Sequence, residues 1–222
     1  MKKKVIRIFL LLIAMLSIAS CKTNKEKESE ENIVKEEILE GTIDGYKFKV
    51  TDEITDRVRI QMDNGDIMLV VLSNKDTPIT IANFKKLVSE HFYDGLTFHR
   101  VVSGFMIQGG DPAGDGSGGS EETIKGEFSE NGVKNDLRHT KGVISMARSN
   151  NPDSASSQFF IMHDTSTYLD GSYAAFGRVF AGLDVIDKIA GVEVVENGYG
   201  EKSKPVKKQI IKSIRFITIE EA

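Results

Sequence analysis

Short apolar runs of strand length, broken again and again by glycine, limit the folds open to this chain more than any other feature. Residues Arg57–Met62 and Ile67–Leu72 alternate like two strands around Asp63-Asn64-Gly65-Asp66, and Asn-Gly is the strongest short hairpin signal. Thr97–Val102 and Phe105–Gln108 read as a second pair, joined at Ser103-Gly104. Gly142–Met146, Gln158–Met162, Ala175–Phe180 and the long Gln209–Ile219 continue the series, with Phe159 and Phe160 on opposite faces. Only two segments carry a helical period. Thr77 suits an N-cap and Pro78 a first turn, and Ile79, Ala82, Phe84, Leu87 and Val88 then recur at helical spacing to about Glu90. Leu183–Ala190 repeats the pattern with Val185, Ile186 and Ile189. Many short strands, Gly-rich turns and two helices predict a mainly β fold, a closed antiparallel barrel capped by the helices.

The N-terminus reads differently. Lys2, Lys3 and Lys4 precede an apolar run from Val5 to Leu16 that only Arg7 interrupts. The run is shorter than the ~20 residues a bilayer span needs, so residues 1–20 read as an export signal. Cys21, the single cysteine of the chain, follows directly. Ile18-Ala19-Ser20-Cys21 resembles a bacterial lipobox, which implies a diacylated cysteine at the mature N-terminus and a protein lipid-anchored to a membrane outside the cytoplasm. Residues 21–56 are assigned to a charged tether, although Tyr46–Val50 alternates like a strand. The folded domain is placed at residues 57–222. One cysteine excludes an intramolecular disulfide. The chain's formal net charge is −4, and cleavage would remove Lys2, Lys3, Lys4 and Arg7 as well. That acidity argues against a nucleic-acid partner.

Screening by residue type narrows the chemistry. His91, His99, His139 and His163 form no ligand-spaced pair, so no metal is expected, and no cofactor either. No G-x-S-x-G elbow is present. In the loop DPAGDGSGGS, Gly114, Gly116 and Gly119 match a dinucleotide fingerprint without its strand–helix context. Asp111, Asp115 and Glu122 match part of an EF-hand loop, but Ala113 stands where a ligand is required. The loop reads as a surface turn needing positive φ at several glycines. What stands out is Thr97–Asp111, TFHRVVSGFMIQGGD. A regular strand puts Phe98, Arg100 and Val102 on one face, and a guanidinium among apolar side chains needs a partner or a task.

The segment Phe98–Asp111 resembles the signature of the cyclophilin family of peptidyl-prolyl isomerases. Gly142–Ile161, GVISMARSNNPDSASSQFFI, resembles that family's next block, and Tyr168–Val179, YLDGSYAAFGRV, the third. The three blocks stand in family order, and the likeness extends from about Arg57 to Ile219. It implies an eight-stranded barrel with a helix at each end and a site on its outer face. It also implies Arg100 as the catalytic residue, and Phe105, Met106, Phe160 and Leu169 as a proline pocket. Gln108 and Gln158 would be the amides near the susceptible peptide, Ala147 and Arg148 the pair that meets substrate backbone, and His99 the neighbour of the arginine. Three positions depart from many eukaryotic members: Tyr168 replaces tryptophan, Tyr173 histidine and Arg148 asparagine. The first implies at most weak cyclosporin binding. Partners implied are proline-containing polypeptides, met by a monomer.

Taken singly, each apolar member of this set would be an ordinary core residue and each glutamine a strand-end hydrogen-bonder. Their joint occurrence in three ordered blocks favours the isomerase. Rotation about a peptide bond is opposed by about 18–20 kcal/mol of amide resonance. In the twisted state the prolyl nitrogen regains its lone pair, and a fixed guanidinium donor binds that state better than the planar one. The alternative is a chaperone or adhesin module that holds proline segments with little catalysis.

Overall fold

The computed structural model describes residues 36–73 and 75–220. The expected signal segment, Cys21 and the expected tether as far as residue 35 lie outside the described residues. The described chain begins its regular structure earlier than Arg57. Strands β1 (Glu40–Ile43) and β2 (Tyr46–Val50) form a hairpin within the stretch assigned to the tether. The alternation at Tyr46–Val50 is therefore a real strand. Its partner is the C-terminal end of the chain, with Val50 opposite Ile217 and Phe48 opposite Ile219. Phe48 is buried with Ile67, Leu69, Ala181 and Ile217.

β3 (Arg57–Met62) and β4 (Ile67–Val71) form the expected hairpin, with Gly65 at φ 91° in the turn. Helix α1 (Pro78–Ser89) follows, then β5 (Phe98–Val102), β6 (Met106–Gly109), β7 (Val143–Met146), β8 (Phe159–Met162) and β9 (Ala175–Ala181). Helix α2 (Leu183–Ala190), the short β10 (Val194–Glu196) and β11 (Lys202–Pro205), and the long β12 (Ile211–Glu220) complete the chain. The main sheet runs β1-β2-β12-β3-β4-β9-β7-β8-β6-β5, and β10-β11 form a separate ribbon.

The eight strands from β12 to β5 match the expected number, but hydrogen bonds do not close them. No ladder joins β5 to β12. A single bridge, Thr97 to Ile210, spans the gap, helped by backbone N–H groups that donate from Phe98 to the Gln209 carbonyl at 2.9 Å, from Ile211 to that of Leu96 at 2.7 Å and from Gly95 to that of Ile211 at 2.8 Å. The last residues of β12 are given over to β2, so only its beginning approaches β5.

The interior gathers apolar side chains from most of these strands and both helices, including Val58, Met68, Phe98, Ile144, Phe176 and Ile214. The Phe84 ring of α1 sits 5.1–5.6 Å from those of Tyr93, Phe159 and Phe176. The buried face of α1 is Thr80, Phe84, Leu87 and Val88, whereas Ile79 and Ala82, expected inside, are exposed. Capping explains the shift. The Thr77 hydroxyl makes no cap bond. Instead buried Glu127, far along the chain, accepts the Ile79 N–H at 3.0 Å and both the N–H and hydroxyl of Thr80 at 2.7 Å. A carboxylate at the positive end of a helix demands donors there, and a threonine answers better than an isoleucine.

A bulge in β5 sets up the site. Phe98 pairs with Gly109 but Arg100 pairs with Gln108, so two residues of β5 oppose one of β6. The single shared face expected for Phe98, Arg100 and Val102 is therefore split. Phe98 and Val101 enter the interior, while Arg100 and Val102 point to the outer face.

Candidate active site

Strands β6, β7, β8 and β9 bury a second apolar cluster on their outer side: Met106, Val143, Phe160, Met162, Leu169 and Ala175. Phe105, Ala147 and Tyr173 pack against it. Period-2 alternation makes this possible, because Phe159 goes to the interior and Phe160 to the outer cluster. Above the cluster lies a groove of about 700 Å³. Every residue proposed from the sequence for catalysis or substrate binding lines it except Gln158, which stands one hydrogen bond behind.

The pocket floor is held rigidly. The Phe160 ring lies under that of Tyr173 edge-on, with centroids 5.7 Å apart, and stacks on His139 at 5.9 Å. His139 is buried between the Asp170 carboxylate, 2.9 Å from Nδ1, and the Ser145 hydroxyl, 3.0 Å from Nε2. Burial pushes its pKa down although Asp170 pulls the other way. The trio imitates a nucleophilic triad, but Ser145 is fully buried and reaches no substrate. Its work is to support Phe160. Phe105 and the exposed Tyr168 stack at 5.9 Å and form one rim.

Arg100 stands at the other rim, half-buried. Its Nη1 donates to Gln108 Oε1 at 3.0 Å, and Gln108 Nε2 donates to Gln158 Oε1 at 2.9 Å. Gln158 Nε2 in turn donates to the carbonyls of Gly116 and Gly118, at 3.0 and 2.7 Å. The Gly-rich loop that supplies those carbonyls is wound around buried Asp111, which accepts the N–H groups of Ala113, Asp115 and Gly116. Gly114 and Gly116 take positive φ, 70° and 93°. The EF-hand-like carboxylate is thus occupied by backbone donors.

Three placements refine the sequence reading. Arg148 lines the groove with its guanidinium partly tied to the neighbouring backbone. Nε donates to the Ser172 carbonyl at 3.0 Å and Nη1 to that of Ser149 at 2.8 Å, and the group lies 4.8 Å over the Tyr173 ring and 5.1 Å over Phe128. It is a wall. His99 lines the groove with both ring nitrogens buried, and burial pushes its pKa down. The third is a residue sequence reasoning missed. Glu201, at the tip of the β10–β11 ribbon, grips Arg100 with Oε2 at 2.6 Å from Nε and Oε1 at 2.7 Å from Nη2. Arg100 holds the Glu201 carboxyl well below the usual range, at about 2. Asn197-Gly198 beside Val194-Val195 signals the ribbon, but nothing in the sequence singles out Glu201 among the neighbouring charges.

Comparison with known proteins settles what such a surface belongs to. The family model described as cyclophilin type peptidyl-prolyl cis-trans isomerase/CLD matches residues 57–216. The chain belongs to the cyclophilin family. A peptidyl-prolyl cis-trans isomerase of Acinetobacter baylyi is 39% identical over 161 residues, 68% of this chain and 81% of that protein. Peptidyl-prolyl cis-trans isomerase B of Bacillus subtilis is 41% identical over 135 residues, 61% of this chain and 91% of that one. A cyclophilin of Cryptosporidium parvum, whose crystal structure was solved in the presence of the dipeptide Ala-Pro, superposes with a TM-score of 0.64 at 29% identity. That match covers 75% of this chain and 99% of the other. This cyclophilin is accordingly an enzyme, a peptidyl-prolyl cis-trans isomerase.

Proposed function

We propose that this cyclophilin seats proline on Phe160, Met106 and Leu169 and drives rotation of the X-Pro bond through Arg100. The observation that carries the reading is a charged donor locked at the rim of an apolar pocket. One N–H of Arg100 Nη1 reaches only Met106 Sδ, at 3.9 Å. Thioether sulfur is a weak acceptor, readily displaced by a prolyl nitrogen whose lone pair has returned. The peptide groups of Ala147 and Arg148, not the Arg148 guanidinium, meet the substrate backbone. No proton or covalent bond moves, so orientation and one oriented donor do the work.

The test is the cis-to-trans rate of a short X-Pro peptide with the purified protein. Acceleration supports the enzyme, and its absence in a folded protein leaves a proline-segment binder. The rate is expected to be flat above about pH 6.5, because Arg does not titrate there and buried His99 stays neutral. A sigmoid rise or fall between about pH 7 and 8.5 would oppose Arg100 as the acting group. Because Glu201 is 39% exposed, its pairing adds only a small stabilising increment, present above the unfolded carboxylate's range and lost as pH falls towards about 2.

The same proposal places the enzyme outside the cytoplasm, tethered through lipid on Cys21 and acting on exported chains as they fold. Support comes from the charged n-region, the short apolar run and the position of the only cysteine. A Cys21→Ser variant is expected to leave the membrane fraction and to take up no labelled fatty acid. Retention of both would refute the anchor.

A further inference from the structure

We propose that Glu201 is a positioning residue for Arg100, fixing the plane of the guanidinium before substrate arrives. The inference rests on the isomerase reading of Arg100 and extends it to a residue outside the three sequence blocks.

The hydrogen-bond inventory of the guanidinium carries the argument. Arginine has five N–H donors in a rigid fork. Glu201 takes the pair on Nε and Nη2, and Gln108 takes one on Nη1. The rest of the fork is left for substrate, and Nη1 already reaches towards the pocket residue Met106. One bond to Gln108 would let the plane swing about it. Two parallel bonds to a carboxylate define the plane. An unheld arginine keeps many rotamers, and the donor would otherwise have to be ordered during the reaction.

Glu201 is itself built in. Its N–H donates to Asn197 Oδ1 at 3.0 Å, and the Asn197 N–H donates to the Glu201 carbonyl at 2.8 Å. Buried Ser203 also bonds the carboxylate, and Asn197 Nδ2 donates to the Ser203 hydroxyl at 3.1 Å. The tip is thus a preorganised acceptor, matched across the guanidinium by the Gln108–Gln158–loop chain. A carboxylate also makes the guanidinium a poorer donor, so the sign of its net effect is a real test.

The experiment compares the wild-type protein with Glu201→Gln, Glu201→Asp, Arg100→Ala and the Glu201→Gln/Arg100→Ala pair, with exposed Lys202→Ala as the control. Kinetics on an X-Pro peptide are read beside the ¹⁵N-detected Nε–H resonance of Arg100. Glu201→Gln is expected to lower kcat roughly tenfold to a hundredfold with KM little changed. Glu201→Asp should recover part of the loss, and the pair should be no slower than Arg100→Ala. The Nε–H resonance should be downfield and slow to exchange in the wild type and lose both properties in Glu201→Gln. Unchanged or faster turnover in Glu201→Gln, or a rise in KM alone, would overturn the proposal. A wild-type protein without isomerase activity would instead sink the reading of Arg100, and the inference with it.

Discussion

Replacing Arg100 by alanine is expected to lower kcat/KM for an X-Pro peptide by two to three decades while the melting temperature stays near that of the wild type. One oriented donor in a water-poor site is worth about 2.7–4 kcal/mol, which corresponds to that loss. Stability should hardly change, because Arg100 belongs to the groove and not to the interior cluster. Its partner Glu201 is 39% exposed and can hydrate once it is left alone. Arg100→Lys is expected to recover little. Lysine keeps the charge but cannot hold the Glu201 fork and the Gln108 bond together. A loss of less than about threefold, under 1 kcal/mol, would show that the pocket alone accounts for catalysis.

The second large effect is expected in stability. Arg59 is fully buried in β3. Its Nη2 donates to Glu37 Oε1 and to the Ser213 hydroxyl, both at 2.7 Å, and Nη1 donates to Gln61 Oε1 at 2.7 Å and to the Ile38 carbonyl. Burial pushes its pKa down, and Glu37 opposes that shift. Arg59→Met keeps much of the volume but strands the acceptors around it. Breaking a buried pair from one side costs about 3–5 kcal/mol. Glu37 is 31% exposed and can turn to water, so the lower part of that range is expected. Urea denaturation should show a lower midpoint at unchanged slope. None of these partners lines the groove, so kcat/KM per folded molecule should be preserved. A stability loss under about 1 kcal/mol would mean that the network is no better than an apolar filling.

Legibility from sequence differed by kind of feature. α2 was readable to the residue because Val185, Ile186 and Ile189 repeat with the helix period and glycine follows. The β3–β4 hairpin was readable because Asn64-Gly65 dictates its turn. In α1 the limits and the burial of Phe84, Leu87 and Val88 were right, whereas Ile79 and Ala82 are exposed, since Glu127 selects Thr80 from outside the helix. In β5 the strand was right but its regular alternation was not, because the bulge puts Phe98 on the opposite face from Arg100 and Val102. A bulge has no period of its own and is imposed by the β6 partner. Strand β2 alternated visibly but could not be paired, because its partner closes the chain.

Sequence alone determined the local pieces: strand-length runs, two helices, and Arg100 with Phe105, Met106 and Gln108 close by in the chain. Those depend on neighbours within a few positions, where period and turn chemistry are strong. Tertiary structure alone decided that the eight strands are tacked rather than laddered at β5 and β12. It also decided that Arg148 is a wall, that His139 braces Phe160, and that Glu201 reaches Arg100 across a separation of 101 residues. Contacts of that span leave no periodic trace in a sequence. They arise when packing of the interior fixes where each loop must pass, and only then does a carboxylate in a polar turn acquire a particular guanidinium to hold.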